Sequence, residues 1–166
     1  MTDRFAEALI AAGPTSEYPV RMREFARLVG RWDARGRRLD EGSGEWRERT
    51  FEWVVEYVLE GRAVQDLEIT TDDARRSIAT AVRVYDPEAG AWRVSFFSPE
   101  TGEYCTLVAT SYRDGIRQDG TRTDGLPIRW NFSGITDDTY TWDGWVSHDD
   151  GRTWVHTDHV EATRLR

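Results

Sequence analysis

From Trp32 to Arg164 the chain never settles into a helical period; short runs in which large apolar residues alternate with charged ones are cut repeatedly by turn residues. Successive side chains of a strand point to opposite faces, so each run reads as a half-buried β-strand. Strands separated only by tight turns form an antiparallel meander, because parallel pairing needs long crossovers. Ten runs qualify: 32–39, 45–59, 62–70, 79–86, 91–98, 103–112, 116–119, 127–135, 140–147 and 153–164. Glu60-Gly61, Pro87-Glu88-Ala89-Gly90, Pro99-Glu100-Thr101-Gly102 and Asp114-Gly115 supply the fixed or positive φ of the joints. Ten sequential strands bury their edges by closing on themselves, so the expectation is a mainly β fold, a closed antiparallel up-and-down β-barrel.

The first thirty residues differ. Phe5, Ala8, Leu9 and Ala12 recur at helical spacing after Thr2 and Asp3, either of which can cap, and Gly13-Pro14 ends the run. A second helix is expected from Pro19 through Met22, Phe25, Ala26 and Val29, with Gly30 as its stop. The 166 residues then make one domain, 1–166: a helical segment over 1–30 that plugs or flanks a barrel over 31–166.

With 22 basic against 30 acidic residues, net charge −8, the whole-molecule field repels phosphate backbones and anionic lipid, so neither nucleic acid nor membrane is an expected partner. Every basic residue except histidine is Arg, which excludes Schiff-base chemistry on lysine and suggests a GC-rich bacterial source. Cys105 is alone, so no internal disulfide forms; without an apolar leader or long apolar run, a cytoplasmic location is expected.

Gly30-Arg31-Trp32, after a helix and at the start of the first strand, resembles the G-x-W signature of the calycin (lipocalin-like) barrels. The resemblance implies that Trp32 closes one barrel end and that Arg164, on the last strand, stacks over it. Segments 28–33, 58–66, 83–87 and 149–154 resemble the DUF1579-like proteins, a bacterial group without established activity. Gly30, Trp32 and Gly36 together with His159-Val160-Glu161-Ala162 are similar to the nitrobindins, which implies a ferric haem with His159, or alternatively His156, on iron. Ala34 and Val160 depart from that pattern. Ser147-His148-Asp149-Asp150-Gly151-Arg152-Thr153-Trp154 fits the Asp-box pattern, a hairpin device that carries no hydrolytic chemistry by itself.

The leading functional expectation is the binding of a small, largely apolar or aromatic molecule in the lumen. Trp53, Tyr57, Trp92, Phe96, Trp130, Trp142 and Trp154 share strand parity with one another and are read as its walls, with Gln65 as a polar contact. The alternative is a cyclase-, isomerase- or hydratase-like enzyme using His156, Asp66, Glu68, Tyr104 and Arg83 as lumen acids, bases and binding groups. Apart from a possible haem, no cofactor or metal is expected; a homodimer is possible. Glu52 and Glu56, and Arg35, Arg37, Arg38, Arg47 and Arg49, read more simply as solvated cross-strand charges.

Overall fold

The computed structural model describes residues 3–72 and 75–166. Ten strands follow in chain order: β1 (Gly30–Leu39), β2 (Trp46–Val58), β3 (Ala63–Thr71), β4 (Arg76–Asp86), β5 (Ala91–Ser98), β6 (Glu103–Tyr112), β7 (Gly115–Thr121), β8 (Pro127–Ser133), β9 (Thr139–Val146) and β10 (Val155–Arg164). Each pairs antiparallel with its sequence neighbours, and β1 closes on β10, so the sheet forms a closed barrel without a free edge. Alternation decides the inside: Trp32 and Ala34, Phe51 and Trp53, Trp92, Val94 and Phe96, and Tyr140 and Trp142 are all buried in one core.

Helix α1 (Arg4–Leu9) is capped by Asp3, whose carboxylate accepts the Phe5 amide at 3.0 Å. Thr2, the other expected cap, lies outside the described residues. The helix stops well before Gly13-Pro14 because Ile10 bridges to Val58 and the Ala11 amide donates to the Tyr57 carbonyl at 2.8 Å. Extended pairing with β2 there satisfies backbone groups that another helical turn would have used.

Helix α2 (Pro19–Ala26) opens on a proline suited to a first turn and buries Met22 and Phe25 in one end of the barrel. It also ends early, at Ala26 rather than Val29. The carbonyls of Arg27 and Val29 instead accept from the Arg164 guanidinium at 3.3 and 2.9 Å, and Trp32 Nε1 donates to the Leu28 carbonyl at 2.8 Å. The guanidinium carbon sits 4.0 Å over the Trp32 ring, so the G-x-W and terminal-Arg pairing closes this end of the barrel. Gly30, at φ 135°, is required there: a Cβ would lie 2.3 Å from Arg164 Nη1.

The 147–154 loop behaves as an Asp-box. Asp149 accepts from Ser147 Oγ at 2.9 Å, the Thr153 amide at 2.7 Å and the Thr153 hydroxyl at 2.6 Å, while Asp150 and Gly151 take positive φ. These donors, the Thr153 hydroxyl first, hold the Asp149 carboxyl down at about 2. A carboxylate depressed by folding stabilises its loop fully above its unfolded value, about 4, and loses that contribution as pH falls through its folded value. Hydrogen exchange at the Gly151 and Thr153 amides should therefore keep a constant protection factor from pH 7 to 5 and lose it toward pH 2. In Asp149→Asn the acid-dependent loss should disappear.

Candidate ligand-binding lumen

The two barrel ends are unlike. At one, Phe25 of α2 meets Trp92 edge-on at 4.9 Å and Phe132 at 6.4 Å, and Trp92 Nε1 donates to Glu24 at 2.9 Å, so side chains fill the interior. At the other, the interior opens into a cavity of about 190 Å³. A second lobe of about 170 Å³ adjoins it through Arg38, Glu68, Phe96 and Glu103, which line both.

Aromatic rings make the cavity walls. Trp53, Phe96, Trp130 and Trp142 face it, with Trp130 edge-on to Phe96 at 5.4 Å and to Trp142 at 5.5 Å. Trp53 Nε1–H is buried without an acceptor among the described residues. The floor is charged: Arg83 and Asp66, 3% and 2% exposed, pair at 2.5 Å from diagonal positions of β4 and β3, where Val64 lies opposite Arg83 and Ala81 opposite Asp66. Arg83 also donates to Gln118 Oε1 at 3.1 Å and lies over the rings of Phe25 and Phe132, while Asp66 accepts the Ala81 amide at 3.1 Å. The helix plug and the cavity floor are thus consecutive layers of one core.

A second charged layer stands above. Arg38 binds Asp158 at 2.8 Å, and Arg49 reaches Glu68 at 3.6 Å and Asp158 at 4.0 Å. Burial pushes the Glu68 carboxyl up, and Arg49 only partly opposes it. At the rim Arg122 binds Glu41 at 2.6 Å and Asp124 at 3.0 Å. The Cys105 thiol, pushed up to about 12 chiefly by burial, is no nucleophile at neutral pH.

Of the residues singled out from sequence, Asp66, Glu68, Arg83, Trp53, Phe96, Trp130 and Trp142 line this cavity. The others are corrected. Tyr104 faces outward and stacks on Phe97 at 4.9 Å, and Gln65 lies on the outer face, donating to Thr80 Oγ1 at 3.0 Å. Trp154 lies in the Asp-box loop with the Arg129 guanidinium 4.3 Å over its ring, and Trp92 and Tyr57 belong to the helix-filled end. In an unbroken β10, His156 and His159, three residues apart, would face opposite ways. A bulge between His156 and Asp158 instead brings both to Asp143 on the outer wall, 2.8 Å each. Among the described residues no imidazole lines the cavity, so a haem iron there lacks the expected axial ligand.

Arg38, Arg49 and Asp158 are lumen residues the sequence reading missed. Parity held the signal: Arg38 follows Trp32, Ala34 and Gly36 at even spacing, and Arg49 precedes Phe51 and Trp53. Glu52 is indeed outside, accepting from Arg31 at 2.7 Å.

No helix among the described residues is long and apolar enough to cross a membrane. No family model matches the chain. No curated protein matches it either. Among solved structures the chain is similar to the crystal structure of Rv2717c from M. tuberculosis, with 15% identity, a TM-score of 0.61, and coverage of 87% of this chain and 97% of that one. The likeness shows the fold, and the closed ten-strand barrel fits the calycin type.

Proposed function

We propose that this protein binds a small aromatic molecule bearing a polar group in the open half of its barrel. The observation that carries the reading is one cavity walled by Trp53, Phe96, Trp130 and Trp142 and floored by the buried Asp66–Arg83 pair. Ligand sites combine apolar walls with a few fixed polar groups in this way. Cavity size sets the ligand class: roughly 150 Å³ accepts benzene, and drug-sized pockets begin near 300 Å³, so one or two rings suit this space. Aromatic faces take the ring, and the Trp53 N–H and the charged layers take its polar substituents.

The test is a tryptophan-fluorescence titration with one- and two-ring aromatic acids, amides and phenols. A saturable change at one equivalent, weakened about tenfold by Trp130→Ala, is the expected outcome. If no member of the panel saturates, or the variant binds equally well, the reading fails.

Glu68 favours catalysis as a second reading. Its carboxyl is half-buried in the lumen, desolvation raises its pKa, and the Arg49 guanidinium stands 3.6 Å away, an environment of the kind that favours a carboxyl acting as an acid or base on a bound compound. For a bound compound that is also turned over, Glu68→Gln should abolish turnover and leave affinity largely intact.

A further inference from the structure

The outer wall carries a constellation that the lumen does not use. His159 on β10 pairs directly with Asp143 on β9, and His156 lies three residues earlier on the same strand. In an unbroken strand, residues three apart face opposite ways. The bulge between His156 and Asp158 cancels that alternation. As a result Asp143 Oδ1 lies 2.8 Å from both His156 Nε2 and His159 Nδ1, and the three donor atoms all fall within 4.8 Å of one another.

We propose that Asp143, His156 and His159 form a binding site for a divalent transition-metal ion of the zinc class. Two imidazoles and one carboxylate on one face are a donor set suited to such an ion, with metal–ligand bonds of about 2.0–2.2 Å. Only small side-chain movements separate the present contacts from that arrangement, since the carboxylate already gathers both rings. The site has an outer shell as well. Glu161 Oε1 stands 3.7 Å from His159 Nε2, beside the nitrogen facing away from Asp143. The His156 ring stacks against Trp145 at 5.3 Å and lies 5.5 Å from Trp46, which limits its rotation.

Asn131, directly across from Asp143 on β8, has a buried Oδ1 without a partner among the described residues, a further oxygen donor beside the carboxylate. Arg37, opposite His159 on β1, is the adjacent cation; it lies over the Trp46 ring at 4.8 Å. Asp143, His156 and His159 retain 18%, 37% and 32% side-chain exposure, so an ion reaches them directly from solvent. Because the site lies outside the barrel, it stands independently of the lumen reading.

Calorimetric titration of the metal-stripped full chain with Zn²⁺ tests it, with Co²⁺ as a spectroscopic probe. The expected result is one equivalent bound, with visible d–d absorption of the cobalt form. Asp143→Asn and His159→Gln should each weaken binding by about tenfold or more, and His148→Gln, at the exposed Asp-box loop, should not. Circular dichroism separates loss of the site from loss of the fold in each variant. Absence of saturable binding to the native chain overturns the proposal, as does binding that a folded Asp143→Asn variant retains in full.

Discussion

Arg83→Met is expected to lower the unfolding free energy by about 3–5 kcal/mol, the usual cost of removing one partner from a buried ion pair. Arg83 is 3% exposed and Asp66 2%, and the truncation leaves the carboxylate with the Ala81 amide as its remaining hydrogen-bond donor. It also orphans Gln118 Oε1 and removes the cation lying over Phe25 and Phe132. The loss belongs to the stranded charge rather than to the pair, so Asp66→Leu combined with Arg83→Met should recover most of it. Urea denaturation with an unchanged m-value reads both variants. A single-variant loss below about 1 kcal/mol would mean that the cavity above Asp66 solvates its carboxylate well enough to replace the guanidinium.

Trp32→Ala should be of the same order, about 3–5 kcal/mol, because the ring is fully buried and makes the end closure. It packs edge-on against Tyr140 at 4.6 Å, carries Arg164 on its face and donates to the Leu28 carbonyl. For a chain of this length the melting temperature should fall by roughly 6–20 °C. Trp32→Phe keeps most of the burial but loses the indole donor, so it should cost less, about 1–3 kcal/mol. Equal losses in the two variants would assign the effect to the hydrogen bond rather than to packing.

The barrel was legible because its signals are local. Alternation marks the strands, and Gly- and Pro-bearing joints force consecutive pairing, which leaves closure as the way to bury the edges. Trp32 and Arg164 were readable as a pair because each occupies a fixed place in that topology. The lumen was only partly legible. Trp53, Phe96, Trp130 and Trp142 share their strands' inward face and line the cavity, but Trp92 shares the same face and lies at the filled end. Parity tells inside from outside and says nothing about height along the barrel axis. The position of α2 fixes which layer is filled, and that is a long-range fact. His156 was misplaced for another reason: one inserted residue between it and Asp158 reverses every facing before it, and β10 itself holds no glycine to announce the bulge, the glycine opposite it, Gly144, belonging to β9. Arg38 and Arg49 escaped because arginine is read as solvated unless a buried carboxylate is known to face it, and Glu68 and Asp158 come from other strands.

The Phe25 plug makes the barrel a cup rather than a tube. Whatever occupies a cup leaves by the opening it entered, past the water it must displace, and it meets the rim twice. At that rim Arg122 of the segment after β7 holds Glu41 of the β1–β2 turn, a tether between parts of the chain far apart in sequence. In a one-door vessel such a tether acts on traffic in both directions. Under the proposed binding role, loosening it should speed filling and emptying alike, with the equilibrium between them left to the walls and the floor.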